Sequence, residues 1–324
     1  MALIGFHVSH ELNSPYDSLR HIQRAQTAGF QAAMCSDHFH PWTPEQGHSP
    51  YSFAWLGAAM MATDFPVGTI CCPTGRYHPA VVAQAAATLA TMFPDRFWLG
   101  VGTGELLNEH ILGQPWRPKP ERQMVLLNAV RAIRALWQGQ IVTTDGPPIV
   151  DRAKLYTRPA RPPLLVGAAI TPETAAWVGS WADGLLTVST DVDQLREVVS
   201  AFRAHGGRNK PMFLQSMVGY DTDEDQAWRM ARERWPVAAL ENDAIQDTAL
   251  PEEFAAATRH VSIAELKEKL RVSSDIRQHR KWIETDLGLG FDAIYVYTIS
   301  GTVEGFIDAY GKYVLPEFST LITR

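Results

Sequence analysis

The sequence predicts a single closed (β/α)8 barrel, the TIM-barrel form of the α/β class, in which eight parallel strands alternate with helices. About eight short apolar runs are each followed by an amphipathic segment, which is typical of a parallel sheet covered by helices. An open doubly wound sheet more often has about five or six strands, so eight units favour closure. The 324 residues exceed the roughly 250 of a typical barrel and leave room for an insertion.

The first half of the chain is predicted to contain four of these units. Ala2–Val8 forms the first strand. Ser14–Ala28 forms the first helix because Ser14 can cap its N-terminus, Pro15 suits the first turn and Gly29 can end it. The other strands of this half are Gln31–Ser36, Val67–Cys72 and Arg96–Gly102, and the other helices are Tyr51–Thr63, Ala80–Met92 and Glu121–Trp137.

The second half begins with the Pro-rich segment Gln138–Pro163, after which the alternation resumes. Asp223–Asp275 is charged and mostly helical and is too long for one crossover, so we expect an insertion at about residues 223–275, before the last strand. Residues 1–324 are expected to form one domain. The predicted strands are Leu164–Gly167, Asp183–Thr187, Met212–Val218 and Asp292–Tyr297, and the predicted helices are Pro172–Trp181, Val192–His205 and Val303–Tyr313.

Charge and composition limit the classes of partner. The 29 Lys and Arg and 35 Asp and Glu give a net charge of −6 without a basic block, so neither nucleic acid nor a membrane surface is expected. No run approaches about 18 consecutive apolar residues, and Met1–Ser9 does not resemble a signal peptide. Cys35, Cys71 and Cys72 do not form a disulfide framework. We therefore expect a cytoplasmic protein that acts on a small molecule.

Polar, aromatic and small residues gather where the predicted strands end, and in a barrel the ligand site lies at the C-terminal ends of the strands. This arrangement predicts a small-molecule site on that rim. The candidate residues are Glu11 after the first strand, Asp37, His38 and Trp42 after the second, Ile70 and Cys71 at the third, Glu105 and Asn108 after the fourth, Gly167, Ala168, Ala169, Ile170 and Thr171 at the fifth, and Val188 at the sixth.

The adjacent pair Asp37 and His38 is the most informative of these, because a carboxylate beside an imidazole can raise the imidazole pKa and prepare it for acid or base chemistry. The alternative is an aspartate that caps a turn beside a surface histidine. The spacing of His38, His40 and His10 matches no standard zinc pattern, so no metal is predicted. Trp42 either stacks on or lies beside a planar ligand, or it packs within its own loop.

Two glycine-containing segments allow close approach of the backbone to a ligand. The spacing Gly100-x-Gly102-x-Gly104 is not the dinucleotide fingerprint, and the following Glu105 is either a proton donor or acceptor or an acid at a helix start. The segment Gly167–Thr171 precedes a helix that begins with Pro172. Its N–H groups form either a phosphate seat or a plain helix cap.

Four motifs resemble the luciferase-like monooxygenase superfamily over nearly the whole chain: Ser36–Trp42 (SDHFHPW), Gln46–Trp55 (QGHSPYSFAW), Arg76–Ala80 (RYHPA) and Gly100–Glu109 (GVGTGELLNE). They are most similar to its branch of coenzyme F420-dependent sugar-phosphate and alcohol dehydrogenases, which includes glucose-6-phosphate dehydrogenases. The stretches MCSDHFHPW, NEHILG and LYTRPARPP also resemble a sub-branch thought to use FMN. The resemblance implies a bacterial-luciferase-like barrel, a flavin or deazaflavin over its mouth, and a homodimer.

The resemblance also implies roles for single residues. His38 would orient or deprotonate the substrate hydroxyl, and Trp42 would help to fix the substrate. Asp37 would touch the cofactor ring, Glu105 would lie near its reactive atom, and Asn108 would contact the cofactor.

Further sites follow from the same likeness. Ile70–Cys71 would form a cis peptide against the ring face, and Gly167–Thr171 would hold the cofactor phosphate. Val188 would contact the cofactor, and Glu11 would contact the substrate.

The resulting prediction is an oxidoreductase that transfers a hydride between FMN and a small neutral alcohol, sugar or carbonyl compound, or a monooxygenase supplied by a flavin reductase. The alternatives are an F420-dependent alcohol or sugar dehydrogenase, a non-catalytic flavin-binding protein and a metal-dependent hydrolase. The resemblance disfavours a phosphorylated substrate, because Asp191 stands at the position expected for one lysine of the sugar-phosphate enzymes. Their second lysine has no clear match in the insertion, and Lys269 is the candidate to replace an arginine.

Overall fold

The computed structural model describes residues 2–319 and confirms the predicted barrel. Eight parallel strands pair in chain order, and the last of them pairs back to the first and closes the barrel. The predicted domain boundaries at residues 1 and 324 lie outside the described residues. The strands are β1 Leu3–Val8, β2 Ala32–Cys35, β3 Val67–Cys71, β4 Phe97–Val101, β5 Leu164–Ala168, β6 Gly184–Val188, β7 Met212–Gly219, β8 Arg271–Val272 and β9 Ala293–Thr298.

Helices cover the outside of the barrel, and most lie within a few residues of the predicted bounds. The first helix is capped as predicted, since the Ser14 side chain accepts a hydrogen bond from the Asp17 N–H and Gly29 ends the helix at φ 101°. The helices are α1 Pro15–Ala28, α2 Ser52–Ala62, α3 Pro79–Met92, α4 Leu106–Glu109, α5 Lys119–Trp137, α6 Pro172–Trp181, α7 Val192–Phe202, α8 Glu224–Arg234, α9 Asn242–Asp247, α10 Pro251–Thr258, α11 Ile263–Lys267, α12 Ile276–Gly288, α13 Val303–Tyr313 and α14 Leu315–Ser319.

The chain between β7 and β9 contains α8 to α11, the short 3-10 helix Pro236–Ala239, and β8, which pairs with the end of β7 outside the closed barrel. The following helix, α12, is not among the sequence predictions. Ile283 is buried on it and Ile276, Trp282 and Leu287 pack partly buried against the core, but these apolar residues are separated by charged ones in the sequence. Helix α7 ends at Phe202, earlier than predicted, where a π-turn begins.

Aromatic side chains from β4, β7 and β9 fill the lower end of the barrel, which is the end opposite the C-terminal mouth. The rings of Trp98, Phe213 and Tyr295 pack within 6.0 Å of one another, and the Trp98 indole N–H donates to the Tyr295 hydroxyl at 3.0 Å. A Cβ at Gly68 would lie 1.9 Å from the Trp98 ring, so this position has no room for a side chain. The filled lower end leaves the C-terminal mouth as the part of the barrel that can receive a ligand.

No helix within residues 2–319 is long and apolar enough to cross a membrane.

Candidate functional site

The centre of the barrel mouth is His38, which follows β2. Its Nδ1 atom lies 3.4 Å from the Asn108 side-chain nitrogen, and its Nε2 atom lies 3.9 Å from Glu11 Oε1. The Asn108 oxygen is occupied, because it accepts the Phe39 N–H at 2.8 Å. Asn108 therefore presents its NH2 group to His38, which makes Nδ1 the acceptor and places the ring proton of the neutral imidazole on Nε2.

Glu11 joins the ends of the first two strands. Its Oε2 atom accepts hydrogen bonds from the hydroxyls of Ser9 at 2.7 Å and Ser36 at 2.8 Å, whereas Oε1 is buried without a hydrogen-bond partner among the described residues. Burial raises the pKa of this carboxyl, but His38 and the two serine hydroxyls outweigh burial and hold the pKa below its ordinary value. Glu11 is therefore ionised at neutral pH, with one oxygen free to bind.

Glu105 lies on the other side of Asn108, and its Oε2 atom accepts from the Asn108 NH2 group at 3.3 Å. It stands at the N-cap position of α4, but its side chain makes no capping hydrogen bond. Burial raises the Glu105 pKa, against the opposing effect of His38. The two acids of the mouth thus differ in their pKa: that of Glu11 is lowered, so Glu11 stays ionised, and that of Glu105 is raised, so Glu105 keeps its proton to higher pH.

The structure corrects the role expected for Asp37. Its carboxylate is fully buried and accepts hydrogen bonds from the hydroxyls of Ser52 at 2.6 Å and Tyr77 at 3.0 Å, and from the Arg76 guanidinium at 2.8 Å. No ion pair joins it to His38; the carboxylate within 4.0 Å of that ring is Glu11. Asp37 holds the loop after β2 in place and presents no free oxygen to a cofactor ring.

Arg76 is a member of the site that the sequence analysis quoted within a motif without giving it a role. Its guanidinium also donates to the Asp37 carbonyl oxygen at 2.6 Å, and its backbone N–H donates to Glu109 Oε2 at 2.6 Å. The Arg76 and Asp37 side chains are 7% and 0% exposed. This buried pair connects the loops after β2, β3 and β4 beneath His38.

Trp42 lies against the His38 ring, with 5.1 Å between ring centroids. Its other face contacts residues of the segment between β7 and β9: Trp235 at 6.5 Å and Phe254 at 5.6 Å, both edge-on. Neither aromatic is among the residues predicted from the sequence, because both lie far from every predicted strand end. The insertion therefore supplies one wall of the mouth.

The floor of the mouth consists of small and apolar groups. A Cβ at Gly102 would be in ordinary van der Waals contact with Ala168 at 3.7 Å and Ile70 at 3.9 Å, so small and apolar groups meet at the ends of β3, β4 and β5. Val188, at the end of β6, is 39% exposed beside it. A flat ring system fits such a surface without displacing a side chain, as expected for a flavin or deazaflavin.

Cys71 does not match its expected role. Its side chain is buried in the core between barrel and helices, on the opposite face of β3 from Ile70. The Ile70–Cys71 peptide is trans; within residues 2–319 the cis peptide bond joins Pro147 to Pro148. β3 keeps regular pairing with β4 through Cys71, so no bulge forms there.

The segment after β5, which was predicted to bind a phosphate, caps the N-terminus of α6 through Thr171. A Cβ at Gly167 would lie 2.5 Å from Val178, so this glycine allows α6 to pack closely, and Ala169 is buried in the outer core. Thr171 accepts the Thr174 N–H, and Pro172 has no N–H to offer. Ala168 and Ile170 are half-buried at the rim, Gly167 and Ala169 pack in the outer core, and the cofactor phosphate role of residues 167–171 stays a prediction.

The three histidines considered for a metal do not converge. The His10 ring packs edge-on against Trp55 at 4.7 Å, and His40 stacks on His110 at 5.2 Å, away from His38. Within the described part of the chain, no group of three His, Cys, Asp or Glu residues is arranged to hold a metal ion.

A family model, named relatives and solved structures match this chain. The family model for the luciferase-like monooxygenases matches residues 2–293. The chain belongs to the luciferase-like monooxygenase family. It is 34% identical over 330 residues to the F420-dependent glucose-6-phosphate dehydrogenase of Nakamurella multipartita, a match that covers 98% of this chain and 97% of that protein. It is 32% identical over 328 residues to the F420-dependent hydroxymycolic acid dehydrogenase of Mycobacterium tuberculosis, covering 97% and 88%.

Among solved structures of this luciferase-like family, an F420-dependent secondary alcohol dehydrogenase in complex with an F420–acetone adduct has a TM-score of 0.88 and 30% identity, covering 97% of this chain and 98% of that chain. These findings confirm the family resemblance and the oxidoreductase class predicted from the sequence. The chain is a flavin- or deazaflavin-dependent oxidoreductase. The three relatives carry F420 in their names, and none carries FMN.

The two positions that the sequence analysis compared with the basic residues of sugar-phosphate enzymes lie at the rim or beyond it. Asp191 caps α7, where its carboxylate accepts the N–H groups of Asp193 and Gln194. Lys269 is exposed on the turn after α11. An aspartate in this position adds negative charge close to the end of β6, which does not favour a phosphorylated substrate.

Proposed function

We propose that this chain is an F420-dependent dehydrogenase that oxidises a hydroxyl group of a small neutral organic substrate. The observation that carries this proposal is the facing pair at the mouth, His38 Nε2–H and the free Glu11 Oε1, in a chain whose named relatives are F420-dependent dehydrogenases. F420 takes the place of FMN, the cofactor favoured from the sub-branch motifs, because no reported relative supports FMN at this level of identity.

The residues present fit a planar deazaflavin. Ile70, Gly102, Ala168 and Val188 form the floor already described. Glu105 stands beside this floor with a raised pKa and can hold a proton where the ring gains one. When bound, F420 accepts the hydride released by the substrate carbon. The protein's own contribution is to bind the ring on the floor and to manage protons at its edge.

The substrate hydroxyl fits between His38 and Glu11. The 3.9 Å between Nε2 and Oε1 is too long for a direct hydrogen bond, and a hydroxyl oxygen that lies beside the pair at about 2.8 Å from each atom would bridge them. His38 donates its Nε2–H to that oxygen and orients it, and the ionised Glu11 takes the hydroxyl proton. This assigns the base role to Glu11, whereas the family resemblance gives it to His38, because the Asn108 amide occupies the only acceptor nitrogen of His38.

Trp42 and the insertion exclude water from this position. Gln46 connects the two parts, since its side chain accepts the Trp42 N–H at 2.8 Å and donates to the Arg234 carbonyl at 2.9 Å. Because these groups keep water away, the Glu11 carboxylate interacts more strongly with the reacting oxygen than it would in water. The neighbouring acids also favour a neutral substrate over a phosphorylated one.

Turnover tests the proposal directly. The purified protein is mixed with F420 and a secondary alcohol such as 2-butanol, and the loss of the oxidised-deazaflavin absorbance is followed. We expect turnover in the wild type, a loss of at least about 10²-fold in kcat for Glu11→Gln and His38→Asn, and wild-type rates for the exposed controls Glu284→Gln and His260→Asn. Turnover with FMN and oxygen, but none with F420, would overturn the proposal.

A further inference from the structure

Helix α4 carries two residues of the mouth on little more than one turn. Leu106–Glu109 is four residues long, with Glu105 at its N-cap and Asn108 within it. A helix this short has little stability of its own, so its position depends on contacts from other parts of the chain. The contacts that hold α4 therefore also set where the Asn108 amide lies beside His38.

The loop after β2 supplies two such contacts from adjacent residues. The Phe39 backbone N–H donates to the Asn108 side-chain oxygen at 2.8 Å, and His40 Nδ1 lies 2.9 Å from the Leu107 carbonyl oxygen. That carbonyl belongs to the peptide bond that joins Leu107 to Asn108. Phe39 thus holds Asn108 at its side chain, and His40 holds it at its own peptide plane.

This hydrogen bond fixes the tautomer of His40. A backbone carbonyl only accepts, so Nδ1 of His40 is a protonated nitrogen. His110 repeats the arrangement one residue earlier on α4, with its Nδ1 at 3.0 Å from the Leu106 carbonyl oxygen. His38 has the opposite tautomer, because its Nδ1 accepts from the Asn108 NH2 group.

Neighbouring rings hold the His40 ring in its orientation. The ring stacks on that of His110, with centroids 5.2 Å apart and planes at 17°, and the Phe39 ring packs edge-on against it at 4.8 Å. Aromatic rings favour these two arrangements, so both contacts restrict rotation of the His40 ring. The restricted ring directs its Nδ1–H at the carbonyl on α4.

The contact between Asn108 and His38 is sensitive to the position of α4. The Asn108 side-chain nitrogen lies 3.4 Å from His38 Nδ1, which is long for a hydrogen bond. A small displacement of the Leu107–Asn108 peptide is therefore enough to break it. Without this donor, nothing in the contact favours the His38 tautomer that carries its proton on Nε2.

We propose that His40 is a positioning residue for the reaction. By holding the Leu107–Asn108 peptide, it keeps the Asn108 amide against His38 Nδ1 and so maintains the tautomer whose Nε2–H orients the substrate hydroxyl. The inference rests on the proposed dehydrogenase function and deepens it. Misplacement of a group that orients a reacting residue lowers the rate steeply, so loss of the His40 donor is felt in kcat.

Two substitutions of His40 separate this role from simple packing. His40→Leu removes the donor, whereas His40→Asn keeps an N–H donor close to the Nδ1 position. With F420 and 2-butanol we expect His40→Leu to lower kcat by about tenfold and His40→Asn to stay within about threefold of wild type. In an Asn108→Leu background, His40→Leu should cause no further loss, because both residues act through the same contact. The control is His260→Leu, which changes an exposed histidine and should leave kcat unchanged.

Nitrogen NMR of the histidine rings reports the same geometry without turnover. In wild type we expect His40 to be protonated on Nδ1 and His38 on Nε2. His40→Leu should mix the two tautomers of His38, and His40→Asn should keep the wild-type form. Urea unfolding and F420 binding, followed by fluorescence, check that each variant is folded.

A single, unchanged His38 tautomer in His40→Leu would overturn the inference even if kcat fell, since that result assigns His40 a structural role. Equal losses of kcat in His40→Leu and His40→Asn would also overturn it. F420 binding by wild type without turnover would overturn the proposed alcohol dehydrogenase function alone, because the NMR comparison still decides whether His40 positions His38.

Discussion

The Nε2 atom of His38 and the Oε1 atom of Glu11 face each other across 3.9 Å at the barrel mouth, and neither atom is taken by another side chain. Two neighbouring strand ends bring them together: Glu11 follows β1 and His38 follows β2. One atom carries a proton and the other carries a negative charge. A hydroxyl oxygen between them receives a hydrogen bond and loses its proton to the carboxylate.

The base assignment predicts the acid side of the pH profile. The pKa of Glu11 is lowered in the folded protein, so kcat/KM should stay constant from neutral pH down to below the ordinary glutamate value of about 4.3 and fall only there. The ionised carboxylate also stabilises the fold above that ordinary value, and this contribution is lost as the pH falls through the lowered pKa. A limb titrating in the ordinary histidine range of about 6–7 would contradict the assignment.

Asn108 is predicted to set the tautomer of His38. Nitrogen NMR of wild type should show Nδ1 unprotonated and Nε2 protonated, because Nδ1 faces the Asn108 NH2 group. Asn108→Leu should mix the two tautomers and lower kcat by about 10-fold to 100-fold through misorientation of the ring. The control is Asn209→Leu, which changes an exposed turn at the opposite end of the barrel. A wild-type ring protonated on Nδ1 would be inconsistent with the hydrogen-bond pattern.

Arg76 is predicted to stabilise the fold through Asp37. Arg76→Met leaves the fully buried Asp37 carboxylate without its cation, which should cost about 3–5 kcal/mol in the free energy of unfolding measured with urea. Arg196→Met removes an ion pair from an arginine whose side chain is 62% exposed, and we expect a change of at most about 1 kcal/mol. Equal small effects in both variants would show that the buried pair is not a structural clamp.

Gly102 is predicted to serve the cofactor rather than the fold. Gly102→Ala adds a methyl group whose nearest neighbour is 3.7 Å away, so the melting temperature should not change. The same methyl group projects over the floor and should weaken F420 binding by about tenfold, or about 1.4 kcal/mol. The control for F420 affinity is Gly57→Ala on α2, where an added Cβ meets nothing within 4 Å and which should leave F420 binding unchanged. Unchanged F420 affinity in Gly102→Ala would place the ring elsewhere.

The sequence was sufficient to predict the barrel and most members of the mouth, because β/α alternation and the rule of strand ends locate His38, Glu105 and Asn108 without knowledge of contacts. Adjacency in the sequence did not predict which carboxylate lies beside His38 in the structure. Asp37 precedes His38, but its carboxylate turns to Arg76, 39 residues away.

The aromatic wall could not be predicted for a similar reason. Trp235 and Phe254 belong to the segment between β7 and β9, whose position over the mouth depends on tertiary packing. The apolar run of β3 did not show whether Ile70 or Cys71 faces the inside of the barrel. Side chains alternate along the strand, and in the structure Ile70 faces inward and Cys71 faces the outer core.

The most direct test of the account is an equilibrium titration of the purified protein with F420, with FMN titrated in parallel under the same conditions. We expect saturable, one-to-one F420 binding that is weakened by Gly102→Ala and is at least about tenfold tighter than FMN binding. Tight FMN binding with no measurable affinity for F420 would contradict it.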